Sequence, residues 1–139
     1  MNFQDFIENK KVRKAEPDIP LAKSLIAMAE NHIETVKPIE QTDKTASTVM
    51  SDYYEAVREI IEAICAVQGY KIYSHEAFTY FLKENGETLV ADKFDRFRKI
   101  RNSIHYYGKQ ANRESVKEDK KEIEKLIKYL KEKFLKDFT

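Results

Sequence analysis

The chain has 139 residues, about the length of one domain, and 42% of them are hydrophobic, enough to bury a core. Its net charge of +1 excludes a global field that drives binding to nucleic acid or membranes, so any such binding needs a local patch. With only 3 glycines and 3 prolines, the composition argues against a protein of strands and turns and predicts an all-α fold.

The first part of the chain predicts one short and one longer helix. Residues 3–14 fit a short amphipathic helix within an N-terminal extension, residues 1–17. Asp18 is the predicted N-cap of the next helix, with Pro20 in its first turn and Pro38 after its end. The predicted apolar face of that helix, with its histidine as a hydrogen-bonded core residue, comprises Leu21, Leu25, Met28, His32 and Val36.

A long apolar segment in the middle of the chain predicts the central helix. Thr42 or Asp43 is its predicted N-cap, and Gly69 ends it after Gln68. Apolar residues cover more than one of its faces, so we expect it to be the most buried helix.

Three further helices follow. Ser74 is the predicted N-cap of the first, residues 88–107 form the second, and Ser115 and Glu118 have the spacing of a capping box for the last. Four substantial helices with short connections predict a single domain, residues 1–139, folded as an antiparallel four-helix bundle with additional short helices.

The segment FRKIRNSIHYYGKQ gathers basic and aromatic residues at the end of the 88–107 helix. On a helical wheel, Arg98, Arg101 and His105 form one stripe beside the core face, and Asn102 lies further round. The predicted core face comprises Val90, Phe94, Phe97, Ile100, Ile104 and Tyr107.

Two interpretations of this stripe compete. Arginines at the rim of an apolar face often extend to solvent, and a lone histidine there is usually structural. The segment DKFDRFRKIR, however, holds five basic residues against two acidic ones and interleaves them with aromatics, as a phosphate-binding surface does. Arg101 at the core edge also needs a partner, either a carboxylate or a bound anion.

The order Arg-Asn, then His, then Tyr-Gly late in a helix of a small all-α domain resembles the HEPN family (higher eukaryotes and prokaryotes nucleotide-binding). The segment GYKIYSHEAFTYFL also resembles the middle of archaeal and bacterial members, and the resemblance covers about residues 21–134.

The family pattern is an arginine, four to six residues and then a histidine. Arg98 and His105 fit this spacing, whereas Arg101 precedes the preferred polar residue, Asn102, but is separated from His105 by only three residues. If the Tyr-Gly pair is aligned with the family's ending, Tyr106 takes the place of the histidine; the helical wheel favours His105, which shares the arginine stripe.

The resemblance implies a metal-independent endoribonuclease whose site forms where two subunits meet, with no cofactor. His105 would be the acid or base, because histidine titrates near neutral pH. Arg98 or Arg101 would stabilise the charge that develops on the phosphate, and Asn102 would hold a phosphate oxygen or orient His105.

In toxin–antitoxin members, a tyrosine two residues after the motif histidine is nucleotidylated by a partner nucleotidyltransferase. Tyr107 occupies this place; the alternative is that it packs as a core aromatic. The resemblance therefore implies a toxin with a nucleotidyltransferase antitoxin. The competing hypotheses are a non-catalytic HEPN homodimer that binds nucleotide, RNA or a protein partner, and a structural adaptor.

Other sites are not indicated. His75-Glu76 lacks the second histidine of a zinc protease motif, Cys65 has no CxxC partner, and the three histidines show no ligand spacing, so no metal is expected. One cysteine, no apolar run long enough to span a membrane and no signal-peptide core at the N-terminus predict a cytoplasmic protein.

Overall fold

A computed structural model describes residues 1–139 and shows an all-α protein with one small antiparallel sheet, which confirms the predicted fold class. The helices are α1 (Phe3–Glu8), α2 (Ile19–Val36), α3 (Ala46–Gln68), α4 (His75–Glu84), α5 (Thr88–Tyr107) and α6 (Arg113–Phe134), and the strands are β1 (Val12–Lys14) and β2 (Tyr70–Ile72). A short 3₁₀ turn, Lys136–Phe138, follows α6.

Helix α3 is the centre of the structure. Of its 23 residues, 14 are buried, and it packs against α2, α4, α5 and α6. Because it has neighbours on several sides, its apolar residues need not lie on one stripe. The prediction of a central, most buried helix is confirmed.

Helices α2 and α6 lie side by side on α3 and run in opposite directions. Lys131 pairs with Glu30 at 2.9 Å, and Lys37 lies 3.8 Å from Glu124. The end of α2 therefore lies beside an earlier part of α6 than the middle of α2 does. The same Glu124 accepts a hydrogen bond of 2.9 Å from the hydroxyl of Tyr53 on α3, which joins the three helices through one carboxylate.

The prediction of a helix over residues 3–14 is wrong in its second half. Helix α1 ends at Glu8, and Lys10 has a left-handed φ of 67°, which turns the chain away from helical geometry. The following residues pair instead as β1 with β2, with Val12 opposite Ile72. β-branched Val12 is buried there, as strand propensity favours.

The first residues are part of the core. Phe3 and Phe6 of α1 are buried, and the Phe3 ring contacts the rings of Tyr70 and Phe81 at centroid distances of 5.3 and 5.6 Å. Edge-to-face contacts of this kind are favourable for aromatic pairs. The segment predicted as an extension therefore packs against β2 and α4.

Helices α2 and α6 each begin at a residue whose side chain accepts hydrogen bonds from the free N–H groups of the first turn. Asp18 caps α2 as predicted, accepting from Leu21 N–H at 3.0 Å. Helix α6 begins earlier than the predicted capping box, because the Asn112 side chain accepts from the N–H groups of Glu114 and Ser115. Ser115 therefore lies inside the helix.

The N-cap of helix α3 differs from the predicted one. Its N-cap is Thr45, not Thr42 or Asp43, and the Thr45 side chain makes no cap bond to α3. The Thr45 hydroxyl donates instead to the Glu40 carbonyl at 2.6 Å and accepts from Thr42 N–H at 3.0 Å. These bonds hold a turn before the helix, so the first helical residue is Ala46.

The predicted face of α2 is partly wrong. Leu21 and Met28 are exposed, and His32 lies between Asp52 at 3.6 Å and Glu59 at 3.5 Å instead of in the core. Small residues on the buried face allow α2 to approach α3 closely. The buried residues of α2 are Ala22, Leu25, Ile26, Ala29 and Val36.

Gly69 is a position where only glycine fits. It ends α3 with φ +84°, and an added Cβ would lie 2.6 Å from the Ala15 carbonyl oxygen. We expect Gly69→Ala to lower the free energy of unfolding by about 2–4 kcal/mol, combining left-handed strain with overpacking. The control Gly86→Ala, at φ +77° with open space around it, should lose about 1 kcal/mol. Urea unfolding measures both, and equal losses would contradict the close approach.

Candidate functional site

A polar cleft of about 350 Å³ lies where the first turn of α4 meets the second half of α5. It contains three of the predicted site residues, Arg98, Arg101 and Asn102. We call it the arginine cleft, and its lining residues are Ser74, His75, Glu76, Arg98, Arg101, Asn102 and Tyr106.

Part of the Arg98 guanidinium is hydrogen-bonded to a carboxylate on its own helix. Its Nε and Nη2 donate to one carboxylate oxygen of Asp95 at 3.1 and 2.8 Å. Burial opposes ionisation of Asp95, but hydrogen bonds from Arg98 and Lys99 outweigh it and lower the pKa of the Asp95 carboxyl. Nη1 of Arg98 has no hydrogen-bond partner in the protein, so both of its N–H groups remain free for a ligand.

Arg101 is the least compensated cation of the cleft. Its nearest carboxylate oxygen, on Glu55, lies 3.9 Å from Nη2, too far for a hydrogen bond, and its buried Nε has no partner. The guanidinium lies near the rings of Tyr54 and Tyr106, at 5.8 and 5.9 Å from their centroids. Both distances are at the outer limit of cation–π attraction.

Glu55 cannot fully neutralise Arg101, because it serves another arginine. Its other oxygen accepts from Nε and Nη2 of Arg58 at 3.2 and 3.0 Å. Arg58 also donates to Glu62 at 3.3 Å, so the Arg58 group is balanced on α3 itself. Arg58 therefore takes the hydrogen bonds of Glu55, and Arg101 makes no hydrogen bond to a carboxylate.

His75 faces the same cleft from α4. Its Nδ1 lies 2.9 Å from the hydroxyl of Tyr54. Tyr54 is fully buried and its hydroxyl has no other hydrogen-bond partner, so the hydroxyl donates and Nδ1 accepts. The neutral ring then carries its proton on Nε2. Burial, followed by the charge of Arg58, lowers the pKa of His75.

His105 lies outside the cleft. It is exposed, and its Nε2 lies 3.1 Å from the Ser51 hydroxyl at the start of α3. Arg101 and His105 both approach α3, as the predicted stripe requires, but His105 is one turn further along α5. Arg98 is two turns from His105, about 10 Å along the helix axis.

The two tyrosines that end α5 are exposed, Tyr106 by 70% and Tyr107 by 75%. The prediction that Tyr107 belongs to the core face is wrong. Helix α5 leaves the core in its last turns, since Ile100 and Ile104 are only half buried, and Gly108 ends it in a left-handed conformation. No core layer remains for Tyr107 to contact.

No family model, curated protein or solved structure matches this chain. No group of three or more histidine, cysteine, aspartate or glutamate side chains is arranged to hold a metal ion. No helix combines the length and the apolar character needed to cross a membrane. A function for this chain is therefore inferred from the geometry of the cleft.

Sequence reasoning missed His75, Tyr54 and Glu55 as residues of this site. Tyr54 and His75 are separated by 21 positions, and neither belongs to a motif. The one local signal was a histidine directly after the predicted N-cap Ser74, at a helix start where buried side chains are few. Ser74 is the N-cap, but its hydroxyl makes no cap bond and lines the cleft.

We expect Tyr54→Phe to raise the pKa of His75, because the tyrosine hydroxyl stabilises the neutral ring as a donor to Nδ1. A proton NMR titration should place wild-type His75 below about 6.5, the ordinary histidine value. Tyr53→Phe is the control, since that hydroxyl bonds Glu124 instead, and it should leave His75 unchanged.

The same shift predicts an acid dependence of stability. The unfolded chain binds the His75 proton near pH 6.5, the ordinary histidine value, and the folded chain only at lower pH. Stability therefore falls as pH decreases through 6.5 towards the folded pKa. A His75 that titrates normally in wild type would contradict both expectations.

Proposed function

We propose that this chain is a HEPN-type protein that binds a phosphate group of RNA or a nucleotide in the arginine cleft. The observation that carries the proposal is Arg101, a largely buried cation that makes no hydrogen bond within the protein and whose nearest carboxylate oxygen is 3.9 Å away. Such a group is costly unless an anion meets it, and a guanidinium matches phosphate oxygens in geometry.

The other residues of the cleft suit the same ligand. Arg98 and Asn102 present further donors beside Arg101. Tyr106 lies on the cleft wall with 70% of its surface exposed, so its ring offers a face on which a base can stack next to the bound phosphate. Because the net charge of the chain is only +1, this binding is local and involves few phosphates.

A second candidate function is metal-independent cleavage of RNA with His105 as acid or base. It is favoured by the exposed imidazole of His105, held by Ser51 one turn from Arg101. In this reaction the 2′-hydroxyl loses its proton to a base and bonds the phosphorus. The bond to the 5′-oxygen then breaks, and that oxygen takes up a proton. Arginine donors stabilise the charge on the phosphate.

Because His105 lies outside the cleft of its own chain, the cleavage proposal requires a second copy. We propose a homodimer in which the α5 ends meet and His105 lies near the two-fold axis. Exposed Tyr106 and half-buried Ile104 supply apolar surface there. Light scattering of the intact chain tests this, and a monomer at high micromolar concentration would reject the dimer.

The proposed toxin role adds a partner nucleotidyltransferase in the cytoplasm, with Tyr107 as its target. The support is the 75% exposure of Tyr107, which leaves its hydroxyl open to a second protein. Mass spectrometry of the chain co-expressed with such an enzyme tests the assignment. Nucleotide found on another residue, or on none, would reject it.

Binding of RNA should depend on Arg101 more than on an arginine elsewhere. We expect Arg101→Gln to weaken binding of a single-stranded RNA by about ten- to a hundredfold, the loss of one charge-assisted hydrogen-bonded contact. Arg13→Gln on β1 is the control, because it removes the same charge from an exposed site without an ion pair. Fluorescence anisotropy measures both. Equal losses would show that net charge alone, not the cleft, binds RNA.

Cleavage should depend on His105. On a mixed RNA pool with EDTA present, His105→Ala should lose about a hundred- to ten-thousandfold in rate, because one acid–base group is removed. His32→Ala, on α2, is the matched histidine control and should cut like wild type. Circular dichroism verifies that both variants are folded. Equal cutting by wild type and His105→Ala, or none by either, would reject the second candidate and leave the binding function.

A further inference from the structure

His75 presents a hydrogen-bond donor to the cleft that no part of the proposed function uses. Its Nδ1 is occupied by the Tyr54 hydroxyl at 2.9 Å, so the neutral ring holds its proton on Nε2. Nε2 has no partner in the protein and is not fully buried, and the residue lines the cleft. The donor is therefore fixed in direction and available to a ligand.

The Tyr54 contact also keeps this donor neutral. A charged ring would carry protons on both nitrogens, and the proton on Nδ1 would point at the Tyr54 hydroxyl, which has no other acceptor for its own proton. The charged groups around the ring are Arg58 and Glu55 from α3, Arg98 and Arg101 from α5, and Glu76 from α4. Burial and the charge of Arg58 oppose a charged ring, whereas Glu55 favours it.

The number of free donors indicates the kind of phosphate. Glu76 is the only carboxylate on the cleft wall, and it is exposed. Five side chains have donor groups without a hydrogen-bond partner in the protein: Ser74, His75, Arg98, Arg101 and Asn102. An internal phosphodiester offers two non-bridging oxygens and one charge. A phosphomonoester offers three oxygens and up to two charges, and so satisfies more of these donors.

We propose that the arginine cleft binds a phosphomonoester, the terminal phosphate of a nucleotide or of an RNA strand. This inference rests on the proposed phosphate-binding function. His75 is the residue that recognises the third phosphate oxygen through Nε2–H. Tyr54 acts through His75 as a positioning residue, because it selects the tautomer. Arg101 and Arg98 supply the charge.

The first test measures the tautomer of His75 and its response to ligands. Nitrogen-15 NMR of wild-type protein should show His75 as the Nε2–H tautomer. Titration with AMP or inorganic phosphate should shift the His75 signals, whereas ApA, which has an internal phosphodiester and no terminal phosphate, should bind at least about tenfold more weakly. Tighter binding of AMP than of inorganic phosphate identifies a nucleotide as the source, and equal binding identifies phosphate alone. An Nδ1–H tautomer, or ApA binding as tightly as AMP, would overturn the proposal.

The second test uses variants. His75→Ala should weaken AMP binding by about tenfold and leave ApA binding unchanged. Tyr54→Phe should mix the two tautomers of His75 and weaken AMP binding less, while Tyr53→Phe should change neither. If Arg101→Gln weakens RNA binding but His75→Ala binds AMP like wild type, the assignment of His75 fails and the proposed function stands. If Arg101→Gln binds RNA and AMP like wild type, the proposed function itself fails.

Discussion

Tyr54, buried in the middle of α3, is the side chain on which the arginine cleft depends. Its ring stacks on Phe94 of α5 at a centroid distance of 5.5 Å, its hydroxyl meets His75 of α4 at 2.9 Å, and Arg101 lies 5.8 Å from its ring centroid. Tyr54 therefore contacts both of the other helices that form the site. Burial raises the pKa of the Tyr54 hydroxyl, so it remains a neutral donor at any physiological pH.

The carboxylates beside the cleft make their hydrogen bonds to arginines other than Arg101. Glu55 makes its hydrogen bonds to Arg58, and Asp95 makes its own to Arg98. Arg101, between these two pairs, keeps only a distant ion pair at 3.9 Å. A strong, hydrogen-bonded pair for Arg101 would stabilise the fold but would occupy the donors that a phosphate needs.

Helix α5 serves three purposes along its length. Its first half packs Phe94 and Phe97 into the core, its middle lines the cleft, and its last turns leave the core with His105 and two exposed tyrosines. Because His105 lies outside the arginine cleft, the proposed cleavage needs a second chain, whereas the proposed binding does not. Assembly of two chains through the α5 ends is the step that the proposed ribonuclease activity adds.

Local signals in the sequence determined the helices: the bounds of α5 from Thr88 to Tyr107, the Asp18 cap and the central position of α3 all follow from periodicity and from glycine and proline positions. The clustering of Arg98, Arg101 and Asn102 also follows, because they lie within five consecutive positions of one helix. Only the tertiary structure decided that Tyr54 bonds His75, that Tyr107 is exposed and that His105 lies outside the cleft. Helical periodicity shows which face a residue lies on, but how far a neighbouring helix extends along that face, and which side chain it places there, depends on contacts between distant parts of the chain.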